Sequence, residues 1–303
     1  MTEQCSPPPT ILPSQKRIIA IGDLHGDWEA LISCFKIAKL IDKDLNWCAQ
    51  PSSTKVIQLG DQLDRGGRNC PSDTDEASEL KIFDYLDKLH SQAEQVGGGV
   101  YSLLGNHEIM NVRGDMRFTT PMSQRDFGDK LEDRIDAFKP GGYMAKRMAC
   151  TRNIIMKVGS FLFVHGGYLP HHGKLSLEEI NKIMREYLLG NVYLSQQKYF
   201  DDLYLKQSSL LWTRRLSGKK PQCGQLNKVF EQLNLNGLVV GHTPQENGIQ
   251  SSCYQKLWKI DTGMSGAFCQ KNQNYQVLEI LDDGQKNSLN NFNPVRILSS
   301  KDI

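Results

Sequence analysis

The chain has 303 residues, of which 39% are hydrophobic, and its 36 basic and 34 acidic side chains leave a formal net charge of +2. No apolar run approaches the roughly 20 residues that a transmembrane helix needs, and a near-neutral charge without a basic stripe is not typical of a nucleic-acid-binding protein. Neither a membrane nor nucleic acid is therefore an expected partner, and no pattern defines the oligomeric state.

The N-terminal segment is rich in proline and lacks the charged start and apolar core of a signal peptide, so residues 1–15 are predicted to be a disordered tail. Residues 16–285 should form one catalytic domain, because any split would separate the candidate ligands described below, and residues 286–303 should form a C-terminal tail. Without a targeting signal, the default location is the cytoplasm. Eight cysteines without a C-x-x-C pair are interpreted as reduced thiols.

Short apolar runs rich in β-branched residues predict buried strands at 17–21, 56–59, 100–104, 161–164 and 238–240. Apolar residues at helical spacing predict helices at 28–40 and 76–96, and this alternation is typical of an α/β fold. Two longer segments, at about 113–149 and 173–235, carry charged helical patterns. We expect these helical excursions to form a lid over the site, and solvated helices on the far face are the alternative.

Each of the five predicted strands is followed directly by a short string that carries metal-binding side chains. The strings are GDLHG at 22–26, GDQLDRG at 60–66, GNHE at 105–108, HGG at 165–167 and GHT at 241–243. Ligands bind in the crevice outside the carboxyl ends of the strands in an open α/β sheet, so five such loops can converge on one site.

The residue types in these strings favour a two-metal site. Asp, Asn and His without Cys form a nitrogen and oxygen ligand set that suits Mn, Fe or Zn, of which Mn is the expected ion. The candidate ligands are Asp23, His25, Asp61, Asn106, His165 and His242. Two divalent ions sharing one carboxylate, for which Asp61 is the candidate, would generate a bridging hydroxide at neutral pH for in-line attack on phosphorus. The sequence therefore predicts hydrolysis of a phosphate ester.

Three further motif residues can do what the metal ions cannot. His107, next to a candidate ligand, can protonate the leaving alkoxide as a general acid. Asp64 can hold the ring of His107 and favour its charged form. The planar guanidinium of Arg65 can grip two phosphate oxygens, together with a second arginine from elsewhere in the chain.

The first three strings, read as Gly-Asp-x-His-Gly, Gly-Asp-x-x-Asp-Arg-Gly and Gly-Asn-His-Glu, resemble the phosphoprotein phosphatase family of calcineurin-like metallophosphoesterases. The segments LWTR at 211–214 and IDTGMS at 260–265 are similar to segments of its Shewanella-like branch. The resemblance covers about residues 16–280. It implies an α/β fold with a central β-sandwich flanked by helices, the same six ligands, the same roles for Asp64 and His107, and Arg214 as the second phosphate-binding arginine, with Arg215 left open.

Two departures from the family pattern limit what the resemblance implies. The Ser-Ala-Pro-Asn-Tyr loop of the eukaryotic serine/threonine enzymes is absent, and Thr213 replaces a tyrosine of the Shewanella-like segment. Neither inhibitor response nor a definite residue preference therefore carries over. The expected substrate is a phosphoprotein or phosphopeptide, and the resemblance favours phosphotyrosine or dual specificity over phosphoserine and phosphothreonine alone.

Two other functional classes stay open at this stage. A nucleotide or dinucleotide polyphosphate hydrolase would share two of the strings and the Asp-Thr-Gly at 261–263. A non-catalytic scaffold is the remote alternative, and an intact general acid argues against it. Asp261 follows another apolar run, and it could be either a hydrogen-bond acceptor for a metal-bound histidine or a turn-capping residue.

Overall fold

The computed structural model describes residues 6–68, 75–191, 197–269, 275–282 and 295–300. Its strands are β1 Ile11–Leu12, β2 Arg17–Ile21, β3 Lys55–Gln58, β4 Gly99–Leu103, β5 Arg152–Asn153, β6 Ile155–Val158, β7 Phe161–Val164, β8 Gly237–Val240, β9 Gln250–Ser252, β10 Leu257–Lys259, β11 Gln276–Leu281 and β12 Val295–Ser299. Its helices are α1 Trp28–Ile37, α2 Glu79–Glu94, α3 Asn106–Val112, α4 Pro121–Arg125, α5 Leu131–Phe138, α6 Tyr143–Thr151, α7 Leu177–Leu188, α8 Gln197–Phe200 and α9 Cys223–Leu233. Among these helices, none has the length and apolar character to cross a membrane.

The strands form two six-stranded sheets that pack face to face. One sheet has the order β12-β11-β2-β3-β4-β5, and the other has the order β1-β6-β7-β8-β10-β9. Side chains alternate across β2, so that Ile18 and Ala20 join the cluster between the sheets while Ile19 and Ile21 join the cluster under α1 and α2. Both faces of this strand are therefore buried, which explains its uninterrupted apolar run.

Helices cover the outer face of each sheet. Helices α1 and α2 pack on the first sheet, whereas α5, α6, α7 and α9 share one buried cluster with the outward side chains of β7 and β8 in the second. The expected α/β fold, a β-sandwich flanked by helices, is confirmed. Helices α5 to α9 of the two excursions contribute to the layer on the second sheet. Residues 192–196 of the second excursion lie outside the described residues.

The predicted strands and helices occur where the sequence places them, with small differences at their ends. Helix α1 ends at Ile37 rather than at residue 40, because Ala38 caps it and Lys39 has a left-handed φ of 52°. Two short strands lie within the segments that were expected to be tails. Ile11–Leu12 pairs with β6, and Val295–Ser299 pairs with β11.

The cysteines differ from the sequence interpretation. Cys223 at the start of α9 forms a disulfide with Cys253 in the turn after β9. Cys150 and Cys269 are also disulfide-bonded, while Cys34 and Cys48 are free thiols. The prediction of reduced thiols is therefore wrong for these four bonded residues, because pairing across 30 residues leaves no local spacing signal.

Candidate active site

The five ligand loops meet at the carboxyl ends of β2, β3, β4, β7 and β8. The amide of His25 donates to the carbonyl of Asp61 at 2.8 Å, which ties the first loop to the second. His25, Asp61, Asp64 and His242 all have left-handed backbones, with φ between 42° and 71°. Such conformations are uncommon for residues other than glycine and concentrate at functional sites, where the surrounding structure holds the strain.

Asp61 lies at the centre of the site. Its Oδ2 is 3.3 Å from His165 Nε2, 3.8 Å from His25 Nε2 and 3.9 Å from His107 Nε2. Two groups of side chains that could each hold a metal ion share this carboxylate, one with His25 and His107 and one with His165 and His242. A carboxylate common to two groups is the arrangement expected of a ligand that bridges two ions.

The remaining candidate ligands lie beside these groups. Asn106 Oδ1 is 2.9 Å from His165 Nε2, and Asp23 Oδ2 accepts a hydrogen bond from the amide of His242 at 3.1 Å. Burial, with the nearby charges of Asp261 and Asp61, raises the pKa of Asp23. The structure thus brings all six candidate ligands together around one cleft.

The donor set fits divalent metal ions. His242 Nε2 is buried, and no hydrogen-bond partner for it exists among the described residues. Burial and the neighbouring His165 lower the pKa of His242, so its ring is neutral and offers a lone pair. Closely spaced buried carboxylates beside a neutral imidazole without a partner are the environment that a bound cation would stabilise.

His107 is oriented by Asp64. Its Nδ1 lies 2.8 Å from Asp64 Oδ2, and Asn111 donates to both oxygens of that carboxylate at 3.0 Å. Burial alone would lower the pKa of His107, but Asp61 and Asp64 outweigh it and raise that pKa. Since Nδ1 is engaged by Asp64, Nε2 is the atom that can transfer a proton in the cleft.

Arg134 contacts Asp64 of this pair, and the sequence interpretation gave it no role. Its side chain is fully buried on α5, in the first excursion, and its guanidinium lies 2.7 Å from Glu79 Oε2 and 3.4 Å from Asp64 Oδ1. Nε also donates to Asn111 Oδ1 at 2.8 Å. The excursion therefore contributes to the orientation of the predicted general acid, in addition to covering the second sheet.

Glu108 is a second residue whose role was not foreseen. Its buried carboxylate accepts from four backbone amides, at 2.7 to 3.2 Å, that belong to the second and third ligand loops: Asp61, Gln62, Leu63 and Gly105. One side chain thus fixes the backbone on both sides of the central ligand. The glutamate of the GNHE string was the only available signal for this role.

Of the two arginines expected to bind phosphate, Arg214 lines the cleft and Arg65 does not. Arg65 lies 3.0 Å from Asp27, the capping residue of α1, and it does not line the cleft. Arg68 does line the cleft, and its Nη1 donates to the carbonyls of Asp64 and Gly66 while Nη2 lies 3.1 Å from His25 Nδ1. Arg214 also lines the cleft, where it donates to the carbonyl of His242 at 3.4 Å.

Asp261, whose role the sequence left open, lines the cleft. Asp261 Oδ1 accepts from the amide of Gly263 at 2.9 Å, which is a turn-capping contact, and the described hydrogen bonds of Asp261 include no histidine. His172 accepts from the amide of Leu169 at 3.0 Å through Nδ1 and lies 3.1 Å from the carbonyl of Ser208 through Nε2. His172 is therefore a buried structural residue.

Aromatic rings form the wall of the cleft, which has a volume of about 350 Å³. Phe118 packs edge-on against His107 with ring centroids 4.9 Å apart, Phe268 packs against His25 at 5.3 Å, and Trp212 packs against His242 at 5.8 Å. The candidate ligands thus share a cleft whose lining combines aromatic rings with arginines.

A dense cluster of His, Asp and Asn side chains between two sheets, beside an oriented histidine and two arginines, defines a metal-dependent phosphoesterase. The chain belongs to the calcineurin-like phosphoesterase family, whose model matches residues 16–246. This confirms the resemblance noted from the motifs. Together, the family and the candidate ligands imply divalent metal ions as cofactors.

Named relatives refine this assignment. The chain is 33% identical to "Shewanella-like protein phosphatase 2" of Arabidopsis thaliana, over 82% of this chain and 72% of that protein. It is 31% identical to "Shewanella-like protein phosphatase 1" of Plasmodium berghei, over 82% and 67%. Among solved structures, a cold-active protein-tyrosine phosphatase of a psychrophilic Shewanella species matches with a TM-score of 0.69 and 21% identity, over 97% of this chain and 83% of that one, which supports the fold.

Proposed function

We propose that this phosphoesterase is a protein phosphatase that prefers phosphotyrosine. The observation that carries the preference is the wall of Phe118, Phe268 and Trp212, which packs directly on His107, His25 and His242. Flat apolar rings at this position can bury an aryl group next to the candidate metal ligands, and aromatic pairs contribute about 0.5–1.5 kcal/mol beyond their area burial. The names of the Shewanella-like relatives support a protein substrate.

The six candidate ligands would hold two divalent ions, which when bound would activate water and bind phosphate oxygens. Arg68 and Arg214, which both line the cleft, would bind the remaining phosphate oxygens, since guanidinium groups match phosphate geometry. His107 would donate the proton at Nε2 to the leaving oxygen, and Asp64 would hold the ring in the required orientation. We further propose Mn²⁺ as the preferred ion.

The role of His107 can be tested through the leaving group. A tyrosine phenolate has a conjugate-acid pKa near 10, whereas a serine alkoxide is much more basic and needs the proton more in the transition state. His107→Asn should therefore reduce hydrolysis of alkyl phosphates more than hydrolysis of aryl phosphates. Equal losses on both would mean that His107 acts by positioning and does not transfer a proton.

The proposed function itself is tested with metal-stripped protein. Phosphate release is measured with phosphotyrosine, phosphoserine and phosphothreonine peptides and with a dinucleotide tetraphosphate, before and after Mn²⁺, Zn²⁺ or Fe²⁺ is added, with Asp61→Asn as the control. Metal content measured on the same samples separates loss of ions from loss of chemistry. Metal-dependent release from phosphotyrosine peptides supports the proposal, while turnover of the dinucleotide alone contradicts it.

We also propose a cellular location, and the cysteines carry this proposal. Disulfides persist in oxidising compartments and are rare in the cytosol. The bonded Cys150, Cys223, Cys253 and Cys269 therefore favour an oxidising compartment over the cytoplasm that the sequence interpretation assumed by default. Localisation of a tagged protein, with its thiols trapped in the cell, distinguishes the two.

A further inference from the structure

A second cavity, of about 300 Å³, opens beside the catalytic cleft and shares part of its wall. Met110, Arg117 and Trp212 line both spaces. Arg113, Asp115 and Leu205 line only the second one, which we call the side groove. The side groove therefore adjoins the catalytic cleft along this shared lining.

The charge of the side groove is positive. Arg117 pairs with Asp115 through two contacts, of 2.8 and 2.7 Å, so these two charges largely cancel. Arg113, at the end of α3, is exposed and makes no ion pair within the part of the chain that the structure describes. The net effect is one uncompensated guanidinium above a surface that includes the apolar side chains of Leu205 and Trp212.

We propose that the side groove binds an acidic side chain of the substrate, close in sequence to the phosphorylated residue. This inference rests on the proposed function and narrows its substrate class to acidic phosphopeptides. The methylene groups of a glutamate would pack on Leu205 and Trp212, and its carboxylate would pair with Arg113. Because the two cavities share part of their lining, this residue should lie close in sequence to the phosphotyrosine.

A basic side chain does not fit the same groove. Asp115 is the only carboxylate among the groove residues that the structure describes, and both of its oxygens are already engaged by Arg117. A lysine would therefore meet Arg113 without an available counter-charge, and like charges placed together oppose binding. The groove thus discriminates by attraction to one charge and by repulsion of the other.

The test compares three phosphotyrosine peptides that carry glutamate, glutamine or lysine at the neighbouring positions, with the Mn²⁺-loaded full chain. The measured quantity is the ratio of kcat/KM for the glutamate peptide to kcat/KM for the lysine peptide. Arg113→Glu should lower this ratio by at least about fivefold, and Arg113→Gln should lower it by less, because the first variant reverses a charge and the second removes one.

Arg125→Glu is the matched control, because Arg125 is also exposed, lies on α4 and lines neither cavity, yet the substitution changes the net charge by the same amount. It should leave the ratio within about twofold of the wild type, since only long-range steering is altered. An unchanged ratio in Arg113→Glu, or an equal change in both variants, overturns the side-groove proposal alone. No release from any phosphopeptide overturns the proposed function, and the side-groove proposal with it.

Discussion

Replacement of Arg134 by methionine tests whether the first excursion stabilises the paired side chains of His107 and Asp64. The guanidinium lies between two buried carboxylates, Asp64 and Glu79, and its removal leaves both without their shared cation. Removing one partner of a buried ion pair costs about 3–5 kcal/mol. At about 2–4 °C per kcal/mol for a domain of roughly this size, thermal unfolding should shift down by roughly 6 to 20 °C.

The pH dependence of this loss of folding stability is a more specific test of the same argument. Burial raises the pKa of Glu79 to about 7 even with Arg134 beside it, and removal of Arg134 should raise it further. Folded Glu79 then keeps a proton that the unfolded carboxyl, with its ordinary pKa of 4.5, has released. Because the folded state binds more protons, stability falls as the pH rises through the folded pKa. The deficit of the variant should therefore grow above neutral pH, where wild-type Glu79 is already ionised, and level off below it.

Thermal and urea unfolding of three variants across this pH range provide the assay. Glu79→Gln in the Arg134→Met background removes the titrating group and should flatten the pH dependence of the deficit. Lys139→Met, which breaks an exposed ion pair with Asp136, should cost less than about 1 kcal/mol. A melting temperature of Arg134→Met within about 2 °C of the wild type, or a deficit that shrinks as the pH rises, would refute the reasoning.

Three further outcomes are expected. Arg68→Ala should weaken competitive inhibition by inorganic phosphate about 10-fold, as expected for loss of a charged hydrogen bond, whereas Arg65→Ala should mainly lower the melting temperature. Equal inhibition constants for Arg68→Ala and the wild type would contradict the role of Arg68. Burial and the adjacent His171 lower the pKa of His172 to about 3. As the pH falls below about 6.5, the wild type should therefore lose about 1.4 kcal/mol of folding stability per pH unit through this group. Urea unfolding of His172→Gln should lack this component of the pH dependence. Reduction of the disulfide between Cys223 and Cys253, which closes a 30-residue loop, should lower the free energy of unfolding by about 3.6 kcal/mol. The variant with serine at both positions should show the same loss of stability without reductant. Unchanged stability in the reduced protein and in the variant would contradict the estimate.

The sequence predicted the ligand loops well because their signals are local. Each loop combines a buried strand, a glycine and a ligand within a few residues, as in the run from Ile21 to His25. The parallel pairing of β2 with β3 and of β3 with β4 then aligns the carboxyl ends of these strands, whatever the rest of the chain does. Short-range pattern and sheet geometry together were enough to locate the six candidate ligands.

The arginines show where local pattern stops being informative. Arg65 and Arg68 are three residues apart in one loop, and both have the chemistry to bind phosphate. What separates them is a distant partner, because the carboxylate of Asp27 lies 3.0 Å from Arg65 and also accepts from the amides of Ala30 and Gly266. A loop residue's direction depends on contacts that the loop's own sequence does not contain.

Arg134 carries this argument one step further. It is 70 residues from Asp64 in sequence, in a helix whose pattern indicated only an excursion beside the catalytic domain. Yet its guanidinium joins Asp64 to Glu79 at the start of α2, so the excursion and the ligand loops share one buried ion network. If an exposed lid alone were the function of this segment, its helix would not need to place a fully buried cation beside Asp64, the partner of His107. The physical consequence is that changes in α5 should alter stability and proton transfer together, whereas changes at Arg113 on the open side groove should alter substrate preference with little effect on either.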